Sequence, residues 1–456
     1  MKIALVGAGI AGLSAAYDLL RAGHAVTLLE GDDRTGGLAT GFRDERWEWP
    51  LEKFYHHLFT SDRAIIGLVE EIGLKDKLFF PRPVTSVIYQ DRIVPFDSPR
   101  RWITFPGFNM VDVARFGTVS AYLRFTKPWR QLEQHTADVW LRRAYGDKIY
   151  EMVWRPLLIG KFGPHYQDVN MAWMWARLHV RSPRLGYFEG GFQAFIDRLT
   201  EVVRELGGDI RLGCPVEAIS PAQGGGVTVQ AGGTVEEYDT AIVTTSPGLL
   251  ARMAPALAGD YLAKLLELKS MGAVVMTLAL TQSLMAESGT YWLNIPATSP
   301  DKAGGVPFLA LVEHTNYIDR AHYGGDHIIY CGDYVTPEHP YLTMSQAELE
   351  TLFVGYLQRI NPDFRPEWVR RSWLFRARYA QPVPLLNHSR NIPDLRTPIP
   401  GLYFASMSQV YPWDRGTNYA VEIGRRVAGV ALEDLTAGRT SARRANAGQT
   451  AADRPS

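Results

Sequence analysis

The chain opens with the feature that most limits its fold. VGAGIAGLSAA places Gly7, Gly9 and Gly12 in G-x-G-x-x-G register, directly after the apolar run KIALV of residues 2–6. Residues 2–6 read as a short buried strand. Residues 10–22 read as a helix with Leu13, Ala16, Tyr17 and Leu20 on one stripe, and residues 25–30 (AVTLLE) as a second strand. Strand, helix and strand within about 30 residues make the βαβ unit of a parallel sheet. In such a unit the first glycine permits a tight turn, the second lets backbone approach a diphosphate, and the third lets the helix pack close to the strand. The helix start adds free N–H groups and partial positive charge. Gly7, Ala8, Gly9, Ile10, Ala11 and Gly12 are therefore the expected diphosphate cradle.

Glu30 ends the second strand, about 20 residues after the first glycine, where a carboxylate can accept from both hydroxyls of an adenosine ribose. The same charge would repel a 2′-phosphate, which disfavours NADP. Just beyond it, Gly31, Arg34, Gly36, Gly37 and Leu38 form a second turn in which backbone again comes close to something, with a cation for phosphate. A site for NAD alone has no evident need of this second turn, whereas the longer FAD does.

Four segments resemble the FAD-binding superfamily of monoamine oxidases, protoporphyrinogen oxidase and phytoene desaturases. They are residues 6–40, EGGFQAFIDRLTEVVRELGGDIRLGCPVEAI (189–219), YDTAIVTTSP (238–247) and PGLYFASMSQVYPWDRGTNYAVEIGRRVAG (400–429). The resemblance implies that Val216 meets the adenine side through its backbone and that the last segment covers the flavin. Where that family usually has Gly-Asp after the last strand, this chain has Ser406 and Met407, so Ser406 offers a hydrogen bond but no charge. The loop YPWDRGTN (411–418) is faintly similar to UDP-galactopyranose mutase, a flavoenzyme that performs no net oxidation. Thr417 or Asn418 is expected to cap the final helix and to lie near the flavin.

The implied fold is α/β. A Rossmann-like FAD-binding domain is assembled from discontinuous segments (1–80, 186–265 and 385–436). An α+β substrate domain (81–185 and 266–384) carries a mixed sheet and a helical lobe. Strands are expected near 84–96 as a hairpin, 209–212, 216–219, 226–230, 235–244, 272–281, 306–313 and 401–405, with helices over 62–74, 192–206, 345–360 and 418–435. Residues 437–456 have almost no large apolar side chain and read as a disordered tail.

Composition narrows the function. Lys+Arg and Asp+Glu are both 48, so no global field collects nucleic acid or an anionic membrane. The two cysteines, Cys214 and Cys331, form no metal-like spacing, no metal is expected, and a reducing cytoplasm fits them. No run of about 20 apolar residues suggests a membrane span.

The implied activity is hydride transfer from a small organic substrate to FAD, with oxygen or a quinone taking the electrons. The candidate catalytic residues are His56 and His57, which follow the cofactor turns, and Trp413 and Asp414, in the loop over the flavin. Either histidine can equally be an ordinary buried one, and Asp414 can equally pair with Arg415 or Arg425. Candidate substrate-binding residues are Lys161, Arg177, Arg181, Tyr187 and Tyr411, in segments dense in aromatics and cations. Arg177 and Arg181, one helical turn apart, can pair with an acidic substrate. Two alternatives stay open: a mutase acting on a sugar nucleotide through reduced flavin, and a polyene or porphyrinogen desaturase resting on a membrane through residues 101–129, for which a packed helical lobe is the cheaper account.

Overall fold

The computed structural model describes residues 1–299, 305 and 307–437, so the expected tail lies outside the described residues apart from Ala437. A five-stranded parallel sheet forms from Asp209–Arg211, Ala25–Leu29, Lys2–Val6, Thr240–Val243 and Leu402–Phe404, in that spatial order. Its inner strands are apolar on both faces, as a sheet covered by helices on both sides requires. The helix Ile10–Arg21 packs against Gly191–Glu205 and against the final helix, Thr417–Thr436. Two glycines allow this closeness. A Cβ on Gly12 would sit 1.9 Å from the Gly7 carbonyl oxygen, and one on Gly424 would sit 2.2 Å from that of Ala11. The final helix thus lies directly on the glycine loop.

The expected strand over 235–244 is two strands. Thr234–Tyr238 completes a three-stranded antiparallel sheet with Val216–Pro221 and Val227–Ala231, while Thr240–Val243 joins the parallel sheet. The chain changes sheets at Asp239, whose carboxylate accepts the Lys2 N–H at 2.8 Å and anchors the bend.

The larger mixed sheet has seven strands in the order Val369–Pro382, Ser270–Leu280, His327–Val335, Ala310–Glu313, Thr290–Asn294, Val84–Tyr89 and Arg92–Pro95. All its pairings are antiparallel except Thr290–Asn294 with Val84–Tyr89. The expected hairpin turns at Gln90 and Asp91, both at positive φ, as a two-residue hairpin turn demands. Three of these strands, Thr290–Asn294, His327–Val335 and Val369–Pro382, were not anticipated.

A helical lobe leans on this sheet, built from Met110–Phe125, Ala137–Tyr145, Arg155–Phe162 and Met171–His179. A π turn, Tyr150–Trp154, precedes Arg155–Phe162. Pro156 has no N–H to donate one turn back, so the helical ladder slips there. In residues 101–129, Phe116 and Leu123 are buried in the lobe, while Met110, Val111 and Phe125 are exposed. Among the described residues no helix is long and apolar enough to cross a membrane.

Candidate active site

The site begins at the glycine loop. The helix Ile10–Arg21 starts from Gly9 with no side-chain cap and no acidic residue in its first turn, so its leading N–H groups keep their partial positive charge. Gly36 donates its N–H to the Ala8 carbonyl at 2.9 Å, which fixes the second glycine turn against the first. A Cβ on Gly9 would meet nothing nearer than the Gly37 Cα at 3.9 Å, so this is a shallow channel lined by backbone.

Glu30 points into the loop. Its Oε2 accepts from the Ala8 N–H at 2.7 Å and its Oε1 from the Asp32 N–H at 3.0 Å. Each oxygen keeps a lone pair for a sugar hydroxyl. Val216 stands close by, because Cys214 donates its N–H to the Glu30 carbonyl and Gly213 to that of Asp32. Gly31 lies against Pro215. Arg34 reaches the Gly41 carbonyl and the Asp33 carboxylate.

The other end of the site is the loop before the final helix. That helix starts at Gly416 with no side-chain cap, which corrects the expectation that Thr417 or Asn418 caps it. Asn418 instead caps a different helix: its Oδ1 accepts from the Ala64 and Ile65 N–H groups, at the start of Arg63–Glu71. Thr417 Oγ1 is buried with no hydrogen-bond partner among the described residues. The backbone N–H of Ser406 donates to Gln409 Oε1 at 2.7 Å.

Between the two ends lies a small enclosed cavity of about 40 Å³, lined by Leu38, Phe54, Tyr55, His56, Asp333, Tyr334 and Arg415 among others. An uncapped glycine-led helix, an acid at the ribose position, an orphaned hydroxyl and a second uncapped helix end form a donor set that fits FAD. The diphosphate would rest on the Gly9 loop and the ring near Leu38 and Thr417.

Beside the cavity is a charged cluster. Asp414 Oδ2 is 2.6 Å from Arg177 and 3.1 Å from Lys161, and Oδ1 accepts from the Trp173 indole at 3.0 Å. The expected partners Arg415 and Arg425 are not its ion pairs. Arg425 pairs with Glu71, and Arg415 donates through Nε to Gln381 at 2.9 Å and lies over the Tyr334 ring. Burial alone would raise the Asp414 pKa, but Lys161 and Arg177 outweigh it and hold the group below its ordinary value. Burial, reinforced by Arg177, pushes the Lys161 ammonium well below its usual range.

His56 and His57 border the cluster. Burial lowers His56 to about 4 and His57 to about 3, with Arg181, Arg177 and Arg415 adding to the His57 shift. Both are uncharged at neutral pH. His56 Nδ1 lies 2.6 Å from the Phe54 carbonyl, which can only accept, so Nδ1 carries the proton and Nε2 keeps its lone pair.

Three candidates are held in aromatic packing. Tyr187 is fully buried among Phe79, Phe192, His314 and Tyr317, and donates its hydroxyl to Glu52. It is a core residue, not a pocket wall. Trp413 stacks on Tyr419 and tilts against Trp175, while Tyr411 packs edge-on to Trp129 and His388. The sequence reading missed Arg415, Tyr55 and Tyr334 at the cavity. It also missed Glu52, a buried carboxyl pushed up to about 7 by desolvation. Among the described residues no cluster of His, Cys, Asp and Glu could hold a metal.

These features together fit a flavoprotein of the dinucleotide-binding kind. The family model for flavin-containing amine oxidoreductases matches residues 10–432. The chain belongs to that family, and its cofactor is FAD.

Among curated proteins it is similar to an L-amino-acid oxidase of Bungarus fasciatus, 45% identical over 78 residues, covering 17% of this chain and 15% of that protein. The chain thus spans about a seventh of the length of that relative. Among solved structures, a putative protoporphyrinogen oxidase from Exiguobacterium sp. 255-15 is 20% identical, with a TM-score of 0.74 over 95% of this chain and 99% of that one. A reduced UDP-galactopyranose mutase is 18% identical, with a TM-score of 0.70 over 95% and 94%. Both likenesses are of fold.

Proposed function

We propose that this protein oxidises a small organic substrate at FAD and passes the electrons to oxygen or a quinone. The observation that carries the reading is the placement of the small cavity at Leu38, His56 and Arg415, between the diphosphate channel and the uncapped final helix. FAD, when bound, supplies a hydride acceptor for a substrate C–H. The chain does the rest. The Thr417 end of the final helix places partial positive charge where a reduced ring would carry negative charge. His56 offers a neutral Nε2 that can accept a substrate proton. Tyr55, Phe54 and Tyr334 exclude water around it.

The site residues in this reading are His56, His57, Lys161, Arg177, Arg181, Tyr411, Trp413 and Asp414 on the substrate side. On the cofactor side are the glycine-loop residues, Glu30 and its turn, Val216, Ser406 and Thr417. The test is an anaerobic screen in which loss of the visible flavin band is followed against amines, amino acids, porphyrinogens and polyenes. Bleaching by one class supports oxidation. Turnover of a UDP-sugar only after dithionite reduction, with no bleaching by any class, replaces it with the second reading, isomerisation of a sugar nucleotide. The cation-rich cluster beside the cavity and the fold shared with the mutase favour that alternative.

A further inference from the structure

The cluster beside the cavity carries more positive charge than its own acids answer. Four cations meet there: Lys161, Arg177, Arg181 and Arg415. The carboxylates at the same place are Asp414 and Asp333, so positive charge exceeds negative by two, four against two. Asp97, the other acid that acts on Arg181, is already paired with Arg101 at 3.1 Å. His56 and His57 add no charge.

The cations differ in what they have left to give. Lys161 is buried, and its ammonium is committed to Asp414 and to the faces of Trp173 and Tyr334. Arg177 spends one N–H on Asp414, and its side chain is 27% exposed. Arg415 spends Nε on Gln381, and its two terminal nitrogens make no hydrogen bond among the described residues. The guanidinium of Arg181 makes no hydrogen bond or ion pair at all among the described residues, and the residue is exposed. Arg177 and the Arg415 backbone N–H both meet Asp414, and Ser182 and Val180, on either side of Arg181, bond Thr60 and Ser61, which brings Arg181 to the His57 segment; the charges of all three arginines bear on His57. The order runs inward from an open arginine to a sealed lysine.

Like charges held this close repel one another, and a folded protein tolerates them where a ligand of opposite charge completes the set. Guanidinium forks with unspent N–H groups fit the paired oxygens of an oxyacid. Resting on the flavoenzyme reading above, we propose that the substrate is an organic anion whose carboxylate or phosphate oxygens dock on Arg181, Arg177 and Arg415, leaving its reacting carbon toward the cavity at His56. Asp414 is a positioning residue here: its Oδ2 bridges Lys161 and Arg177 and aims the arginine.

The test uses calorimetry on the FAD-loaded chain with four probes: phenylacetate, phenyl phosphate, UDP and benzylamine. At least one anion binds about tenfold or more tighter than benzylamine, and Arg181→Gln weakens that anion by a further factor of about ten, with partial recovery in Arg181→Lys. Preference among the anions tells carboxylate from phosphate and diphosphate. Benzylamine binding as tightly as every anion, no anion binding at all, or an Arg181→Gln variant indistinguishable from wild type overturns the proposal. FAD uptake is read separately from the visible flavin band. A chain that holds FAD but prefers benzylamine keeps the flavoenzyme reading and loses the anion; one that binds phenylacetate but leaves FAD in solution does the reverse.

Discussion

The diphosphate channel and the charged recess solve opposite problems in one protein. The channel is made of backbone. Its recognition groups are the N–H ends of a helix and two glycine turns, and its acid, Glu30, is tied down by the Ala8 and Asp32 amides. The recess is made of long side chains from three separate segments: Lys161 on one helix, Arg177 in the last turn of another with Arg181 just past its end at His179, and Asp414–Arg415 on the loop before the final helix. Backbone geometry tolerates almost no substitution, while a side-chain cluster can be retuned one charge at a time. Cofactor recognition is thus built into the fold, while the proposed anion site depends on a few replaceable cations.

The hardest blow to that contrast falls on the channel. Gly12→Val forces side-chain atoms into the Gly7 carbonyl, and the purified chain should carry no flavin, with affinity for added FAD down at least about a hundredfold. Flavin absorbance per chain checks it. A yellow Gly12→Val protein would break the claim that the channel is intolerant.

In the recess, Asp414→Asn leaves Lys161 and Arg177 without their shared anion and should cost about 3 kcal/mol in urea unfolding at pH 7. The folded pKa of Asp414 is depressed, so this stability is present above the ordinary aspartate pKa of about 3.9 and is lost only as pH falls beneath it. The gap between wild type and variant should therefore close in acid.

Glu52 behaves in the opposite sense. Its pKa is raised to about 7, because desolvation outweighs the donors Phe192 N–H and Tyr187 OH. Stability associated with the neutral acid is complete below about pH 4.3 and is lost as pH rises through about 7. Wild type should lose roughly 3 kcal/mol across that window by urea unfolding, and Glu52→Gln should flatten the slope.

The smallest effect belongs to Asn418→Ala, which uncaps Arg63–Glu71. It should cost about 1 kcal/mol and shift Tm by only a few degrees, with FAD affinity unchanged.

The same contrast governs what the sequence made legible. Gly7, Gly9, Gly12 and Glu30 announce themselves because the chemistry is local: a turn, a helix start and a strand end within one βαβ unit. Arg177 and Arg181 were expected one turn apart on one helix, but that helix ends at His179 and leaves Arg181 beyond it, and nothing in the chain joins either to Arg415, which arrives through tertiary packing. Tyr187 misled because aromatic density marks core and pocket alike. The strand Val369–Pro382 was hidden by arginines, which it can carry because it is the edge of its sheet and leaves Arg371, Arg376 and Arg378 toward solvent. Asn418 was seen as a cap, but of the wrong helix, since a side chain's reach across a packing interface has no signature in linear spacing.

One FAD would bridge the two regions, its diphosphate on the Gly9 helix and its ring near Leu38, Thr417 and Arg415. The visible spectrum of the chain titrated with FAD tests this most directly. It predicts one flavin per chain and an absorption maximum that moves in Arg415→Ala while the affinity for FAD stays within about threefold, since the channel holds the diphosphate and Arg415 only borders the ring. FAD left free in solution, or a flavin band blind to the loss of Arg415, would contradict it.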